Sequence, residues 1–156
     1  MSEIDTRRTF LKGSMAAGAV GVAIGAGLLH PGVVLARNDN AFMAKASGDA
    51  MSAAFGSGDS AASDAITIKA PDIAENGAVV PVTVETTLAA DEIAILADKN
   101  PTPMAARFML SSSATGDVST RIKMGKTGDV IAVVKSGGKL YSARKPVKVT
   151  IGGCGG

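Results

Sequence analysis

Hydrophobic and polar residues alternate with a period of two along most of the C-terminal part of the chain, a pattern typical of β-strands with one buried face. Val80, Val82 and Val84, for example, alternate with proline, threonine and glutamate. Segments of this kind recur about eight times with turn residues between them, as in a β-sandwich. The pattern therefore predicts an all-β fold, an immunoglobulin-like β-sandwich over residues 65–151.

Two features refine the predicted sandwich. Residues 130–134 are continuously apolar, which predicts a central strand covered on both faces. Pro81 has no backbone N–H, so it predicts a sheet edge or a β-bulge at its position. After a turn at residues 136–138, the segments 140–142 and 147–151 predict the end of the sandwich.

The segment before the sandwich has a different spacing. Apolar residues recur every four positions in residues 37–55, which predicts a short helix with Asn40 as its N-cap. The Gly/Ser-rich stretch 56–63 has the composition of a flexible linker. We therefore expect residues 37–64 to precede the folded domain, which would begin near Ala65.

The first 36 residues have the organisation of an export signal. Arg7 and Arg8 lie in the run Thr-Arg-Arg-Thr-Phe-Leu-Lys, and residues 13–29 are apolar and carry no charge. This arrangement resembles a twin-arginine signal peptide, here residues 1–36. Five glycines make the apolar stretch a poor membrane anchor, and the predicted location is the periplasm. An uncleaved N-terminal anchor is the alternative.

Small residues suit a signal peptidase at two positions, after Ala36 and after Ala46. Cleavage after Ala36 is favoured because this site directly follows the apolar segment, and it removes the single histidine, His30. Twin-arginine cargo usually folds before export, often around a cofactor, yet the chain has no dinucleotide, phosphate-loop or metal-ligand motif. We therefore expect no cofactor and no metal, and a partner that is exported together with this chain.

The composition argues against several functions. Aromatic residues make up 3% of the chain and the formal net charge is +2, which disfavours nucleic-acid binding by stacking or by phosphate contacts. Without His30, the exported chain has no imidazole for acid–base chemistry. Asp91 and Glu92 are neighbours on a strand, where side chains point to opposite faces, so we expect them to be solvated. The chain is therefore not expected to be an enzyme.

Charge is unevenly distributed along the exported part of the chain. Residues 37–100 hold 4 basic and 10 acidic side chains, whereas residues 101–156 hold 9 basic and 2 acidic ones. One interpretation is a basic surface near the last strands that favours anionic cargo or an acidic partner. A scattered, solvated surface is the alternative. The basic candidates are Lys139, Arg144, Lys145 and Lys148.

The chain ends in a glycine-flanked cysteine. Cys154 is the only cysteine, and four glycines surround it: Gly152, Gly153, Gly155 and Gly156. Glycine permits both signs of φ, so residues 152–156 are expected to form a flexible arm that places Cys154 about 10 Å beyond Ile151 when extended. A thiol with an ordinary pKa of about 8.5 and no neighbouring base is a poor nucleophile at neutral pH, but it suits a covalent carrier. A meaningless frayed terminus or a disulfide between two copies are the alternatives.

The ending 149–156 reads Val-Thr-Ile-Gly-Gly-Cys-Gly-Gly, residues 75–82 read Glu-Asn-Gly-Ala-Val-Val-Pro-Val, and residues 118–123 read Val-Ser-Thr-Arg-Ile-Lys. Together these three stretches resemble the SoxY family, the sulfur carriers of the periplasmic thiosulfate-oxidising system. The ending is the most specific of the three. The resemblance covers most of the chain from Ala65 onward, together with the twin-arginine signal.

The resemblance implies a non-catalytic subunit that pairs with a SoxZ-like β-sandwich as a heterodimer or a larger complex. It implies that a haem-containing SoxAX-like complex joins a sulfur oxyanion to Cys154 as a cysteine-S-thiosulfonate. A SoxB-like hydrolase would then release sulfate and leave a persulfide. A sulfur dehydrogenase, where present, would oxidise that sulfane sulfur before a second hydrolysis.

Two other functions remain open from the sequence. A C-terminal Gly-Gly can serve as an activated carboxylate carrier, but this role requires ATP-dependent activation that an exported chain cannot reach. An exported protein-binding module with an irrelevant tail is the other alternative. Replacing Cys154 by serine distinguishes the thiol carrier from the carboxylate carrier, and removing residues 152–156 tests the binding module.

Overall fold

The computed structural model describes residues 39–151. The predicted signal peptide with Arg7, Arg8 and His30, the cleavage site after Ala36, and the tail 152–156 lie outside this range, whereas the alternative cleavage site after Ala46 lies within it. The elements are α1 (Asp39–Met43), α2 (Ser47–Phe55), β1 (Ala61–Ala62), β2 (Ile66–Lys69), β3 (Ile73–Ala74), β4 (Val80–Thr86), β5 (Glu92–Ala97), β6 (Met104–Met109), β7 (Asp117–Ile122), β8 (Gly128–Ser136) and β9 (Lys139–Val149). None of the helices described here could cross a bilayer.

The strands form two sheets that make an all-β sandwich. The larger sheet has the order β1-β9-β8-β5-β6, and the short β3 also pairs with β9. The smaller sheet has the order β2-β4-β7. All pairs are antiparallel except β1–β9 and β3–β9, which are parallel. The predicted fold class, an all-β sandwich, is therefore confirmed.

The larger sheet is buried on both faces, which explains its continuous apolar strands. On one face, residues such as Ile95 and Val130 pack against the smaller sheet. On the other face, Leu96, Ile131 and Val133 pack against α1 and α2. Strand β8 is central in this sheet, and its residues 130–134 are all buried, as the apolar run predicted.

The N-terminal helix is divided into two, which corrects the single helix predicted for residues 37–55. Asn40 is not an N-cap: it lies inside α1, where its C=O accepts a hydrogen bond from the N–H of Ala44 at 3.1 Å. Helix α2 begins after Ala46, which has no capping side chain. It ends at Gly56, whose left-handed φ of 81° is the conformation in which helices commonly terminate.

The structure also corrects the expected start of the folded domain near Ala65. Ala41, Ala50 and Met51 of the two helices are buried against the larger sheet. Within the predicted linker region, β1 pairs with β9, and the hydroxyls of Ser60 and Ser142 are hydrogen-bonded at 2.8 Å. Residues 39–64 therefore belong to the fold. The surface with which these residues pack consists largely of alanine. The hydrophobic pattern therefore does not distinguish this segment from a linker.

Two prolines lie at local sheet edges. Strand β4 is central, but β2 pairs only with its residues 83–86, so Pro81 has a neighbour on the β7 side alone. The prediction of an edge at Pro81 therefore holds locally. Strand β9 is one continuous strand across Pro146, which lies between the short stretches of β9 that pair with β1 and with β3. Because no strand within residues 39–151 pairs with the outer edge of β9 at Pro146, the missing N–H of this proline interrupts no hydrogen bond between strands.

Candidate functional site

The last residues before the cysteine-bearing tail are bound by backbone hydrogen bonds along their outer side. The N–H groups of Lys148 and Thr150 donate to the C=O groups of Asp72 and Ala74, at 2.9 and 3.1 Å. The C=O of Ile151 accepts from the N–H of Gly77 at 2.8 Å. These bonds extend the parallel β3–β9 pairing, so the chain is held up to the last residue before the tail.

The inner side of the same segment is bound by the turn between β7 and β8. The hydroxyl of Thr127 accepts from the N–H of Val149 at 2.9 Å and donates to its C=O at 3.3 Å. The N–H of Met124 donates to the C=O of Gly77 at 2.7 Å, which ties this turn to the outer side. We call residues 72–77, 123–127 and 148–151 together the arm root.

The arm root is where the three stretches that resemble SoxY meet. Residues 75–82 lead through Gly77 into β4, and Val80 pairs with Ile122 at the end of the stretch 118–123. The ending 149–156 starts beside both, through the bond between Ile151 and Gly77. Segments far apart in sequence therefore lie together at one end of the sandwich, at the point where the tail leaves it.

The surface of the arm root is partly apolar and partly basic. Ile73 is 56% exposed and Ile151 is 67% exposed, and both lie in the paired segments just described. Val79, 52% exposed, follows the turn that contains Gly77. The exposed charged side chains at the arm root that make no ion pair within residues 39–151 are Glu75, Lys123, Lys126 and Lys148.

The structure does not gather the four basic residues that the sequence suggested. Lys148 lies at the arm root, but Lys139 is at the opposite end of β9, about 30 Å away at roughly 3.3 Å per residue. Arg144 is midway along β9, and Lys145 forms an ion pair with Asp72 at 3.1 Å. The sequence analysis missed Lys123 and Lys126. Lys123 is the last residue of the stretch 118–123. The similarity of this stretch to SoxY was the signal in the sequence that could have identified Lys123.

The acidic pair is placed differently from the sequence expectation. Asp91 is exposed, as expected, but Glu92 is not a freely solvated side chain. Its carboxylate accepts from Nε and Nη2 of Arg107, at 2.9 and 2.6 Å, and lies 3.7 Å from Nζ of Lys135. The Arg107 guanidinium also lies 5.3 Å from the centre of the Phe55 ring. This partly buried cluster fastens α2 to the sheet and is structural.

Between residues 39 and 151, no group of three or more His, Cys, Asp or Glu side chains is placed to hold a metal ion. That the whole chain works without a cofactor stays a prediction.

The Thr127 hydroxyl makes both hydrogen bonds to the backbone of Val149, so Thr127→Val is expected to loosen this segment. Each lost hydrogen bond costs about 0.5–1.5 kcal/mol, and we expect the Val149 amide to exchange roughly tenfold faster with solvent. Hydrogen exchange measured by NMR tests this. Thr67→Val on β2 is the control, because the Thr67 side chain is exposed and makes no hydrogen bond within the described residues. Equal exchange rates in both variants would contradict the prediction.

Comparison with known proteins adds a family to this geometry. A family model described as "Sulfur oxidation protein SoxY" matches residues 51–154, a range that ends at Cys154. The solved structure of the sulfur carrier protein SoxY from Chlorobium limicola f thiosulfatophilum is 48% identical, with a TM-score of 0.62. The alignment covers 70% of this chain and 96% of that chain. No curated protein matches.

Other solved structures are more distant. A superoxide reductase (neelaredoxin) from Ignicoccus hospitalis is 23% identical, with a TM-score of 0.48, over 54% of this chain and 78% of that one. The soluble domain of PmoD from Methylocystis sp. ATCC 49242 is 14% identical, with a TM-score of 0.37, over 54% of this chain and 90% of that one. These likenesses carry no functional implication.

The fold and the family match define a β-sandwich protein of sulfur oxidation. Specifically, the chain belongs to the SoxY family. The resemblance noted in the sequence is thereby confirmed, as is the prediction that the chain is a non-catalytic subunit and not an enzyme.

Proposed function

We propose that this chain carries sulfur intermediates covalently on the thiol of Cys154 and presents them to separate enzymes. The observation that carries the proposal is the arm root: backbone hydrogen bonds hold the chain up to Ile151, and the only cysteine follows three residues later. The two glycines on each side of Cys154 leave no other side chain to obstruct an approach to its sulfur. The family match through residue 154 supports the same assignment.

The proposed cycle balances with this thiol as the only reacting group of the chain. Thiosulfate and the Cys154 thiol form an S–S bond, releasing a proton and two electrons that a SoxAX-like haem cytochrome accepts. Hydrolysis of the adduct by a SoxB-like enzyme breaks the bond between the sulfane and sulfonate sulfurs, giving sulfate and a persulfide on Cys154. The persulfide is a reversible state of cysteine, so the thiol can be regenerated.

Later steps depend on the enzymes available. A sulfur dehydrogenase would add three oxygen atoms from water to the terminal sulfur, releasing six electrons to its own acceptor. Hydrolysis of the resulting cysteine-S-sulfonate then returns the free thiol and a second sulfate. In each step the chain supplies the sulfur atom and its position, and the partner supplies the catalyst.

The proposed setting is the periplasm, reached through the twin-arginine signal that contains Arg7 and Arg8. A SoxZ-like subunit without its own signal would pair with this chain and cross the membrane with it. This accounts for a twin-arginine signal on a chain with no recognisable cofactor motif.

Intact-mass spectrometry of the protein purified from cells oxidising thiosulfate tests the proposal. We expect masses that correspond to thiosulfonate or sulfane sulfur on the C-terminal peptide, and their loss on treatment with a reducing thiol. Protein from cells grown without reduced sulfur compounds is the control. An unmodified Cys154 in actively oxidising cells would refute the carrier role.

A further inference from the structure

Asn76 and Gly77 form an Asn-Gly pair inside the arm root. Asparagine is a chemically labile residue, and it loses its side-chain amide when the backbone nitrogen of the next residue attacks its carboxamide carbon. Glycine in the next position favours this attack because it has no Cβ to obstruct it. Asn76 is exposed to water, whereas Gly77 is buried. Whether the pair reacts therefore depends on how the fold holds the Gly77 nitrogen.

The Asn76 carboxamide is folded toward that nitrogen. Its Oδ1 accepts a hydrogen bond from the N–H of Ala78 at 2.9 Å, which makes an Asx turn. The bond closes a short ring of atoms that contains both Cγ of Asn76 and the backbone nitrogen of Gly77. The C=O of Asn76 also accepts from the N–H of Val79 at 3.4 Å, which closes a β-turn over the same residues. Local structure therefore keeps the two reacting atoms close together.

The Gly77 nitrogen itself is held by the rest of the arm root. Its N–H donates to the C=O of Ile151 at 2.8 Å, and the C=O of Gly77 accepts from the N–H of Met124 at 2.7 Å. An attack on Asn76 requires this nitrogen to give up its proton and to turn toward Cγ. Both are prevented while the N–H donates to Ile151, so the last residue before the tail protects the pair.

We propose that Asn76 is a deamidation site that the hydrogen bond between Gly77 and Ile151 keeps closed, and that opening of the arm root exposes it to reaction. The Gly77 nitrogen loses its proton and forms a bond to Cγ, while the bond between Cγ and Nδ2 breaks and ammonia leaves with that proton. Water then opens the resulting succinimide at either carbonyl. The net reaction consumes water and releases ammonia, with no oxidant or reductant. This inference goes beyond the proposed function, because it does not require sulfur on Cys154.

The two products differ in their effect on the arm root. Hydrolysis at one carbonyl gives aspartate, which keeps the normal backbone and an oxygen that can accept from Ala78. Hydrolysis at the other gives isoaspartate, whose main chain runs through the former side chain and is longer by a methylene group. Gly77 then cannot bond to Ile151 and to Met124 in the present geometry at once. Formation of isoaspartate therefore makes the opening of the arm root permanent.

Deamidation rates of the exported chain, purified with its natural partner, test the proposal. The protein is incubated in mildly alkaline buffer, and peptide mapping by liquid chromatography and mass spectrometry follows the conversion of Asn76 to aspartate and isoaspartate. We expect folded protein to convert more slowly than the same chain unfolded in urea, by roughly tenfold or more, because reaction proceeds only from the opened state. Thr127→Val loses the hydrogen bonds that hold Val149 and is expected to convert roughly tenfold faster than wild type.

Controls separate the arm root from general effects. Thr67→Val lies on β2 opposite Glu85, toward the far end of β4, and is expected to convert at the wild-type rate. Asn100 is an internal control, because the proline that follows it has no backbone N–H and cannot attack. We expect Asn100 to stay intact in every sample. Thermal unfolding checks that both variants are folded at the incubation temperature.

Asn76→Asp is the control for the effect of the modification, because it carries the charge of the products on a normal backbone. The isoaspartyl form, separated by chromatography, is expected to exchange the Met124 amide with solvent roughly tenfold faster than this variant. Equal exchange in the two would overturn the permanent opening of the arm root.

The remaining outcomes decide the site itself. Equal conversion in folded and urea-unfolded wild-type protein, or in Thr127→Val and wild type, would show that the bond to Ile151 protects nothing. An Asn76 that stays intact even in urea would show that the pair is not reactive. In either case the proposal is wrong, and the carrier function of Cys154 is unaffected.

Discussion

The Cys154→Ser variant is expected to lose sulfur-dependent function completely while its fold is unchanged. Serine keeps the size and the flanking glycines, but its oxygen cannot form the S–S bond on which every proposed intermediate depends. We expect no mass adduct on the C-terminal peptide. We also expect thiosulfate-dependent cytochrome reduction, measured with the reconstituted enzymes, to fall at least 100-fold, to the background without carrier, because no partial reaction can proceed on a hydroxyl.

The same variant discriminates between the alternatives left open by the sequence. A carrier that used the C-terminal carboxylate of Gly156 would retain its activity in Cys154→Ser, because both terminal glycines are still present. A plain binding module would retain partner binding even after removal of residues 152–156. As a control, Ser119→Cys in a Cys154→Ser background places a thiol on the exposed outer face of β7. Restored activity there would contradict a positional role for the tail.

The β-sandwich was predictable because its information lies in side-chain polarity. Alternation along β4 marks a strand with one buried face, and the continuous apolar run of β8 marks one with two. In both strands the large difference in transfer free energy between valine and polar residues makes the pattern readable. The apolar run even predicted a second covering layer, although its identity was not evident.

A helix was predicted before the sandwich, but its packing on the larger sheet escaped prediction because its buried face offers little polarity contrast. Ala41 and Ala50 are fully buried, but the small apolar side chain of alanine is also tolerated on exposed helices and in linkers, so alanine does not by itself mark a buried face. The pairing of Glu92 with Arg107 depends on the register between β5 and β6, which no local pattern specifies. Glu92 looked solvated in the sequence, but the register between two strands places it in a structural cluster.

The arm root was invisible in the sequence for a different reason. Its main contacts are backbone hydrogen bonds, such as that between Gly77 and Ile151, and backbone bonds impose no side-chain pattern. The sequence identified Cys154 and the similar stretches but could not place those stretches beside one another. The sequence also favoured the basic residues that lie close to Cys154 along the chain. Lys123 and Lys126, which are farther away in sequence, are brought to the arm root by the β7–β8 turn.

Removing the two helices is expected to abolish independent folding, although the sequence placed the domain boundary after them. A chain that begins at Ser57 would expose the sheet face formed by Leu96, Ile131 and Val133, which are at most 1% exposed in the intact fold. Burial of each such side chain contributes about 1.5–3 kcal/mol. The sum of roughly 5–9 kcal/mol is comparable to the whole stability of a small domain, about 5–15 kcal/mol.

Urea unfolding followed by circular dichroism, together with binding of an apolar dye, measures this effect. The chain beginning at Asn38 should unfold cooperatively and bind little dye, whereas the chain beginning at Ser57 should aggregate or show no cooperative transition. Within the longer chain, Leu96→Ala probes the same contact and should cost about 2–5 kcal/mol. A cooperative transition at the same urea concentration in both chains would mean that the helices merely rest on the sheet. The β-sandwich would then fold without the helices, as the hydrophobic pattern alone suggested.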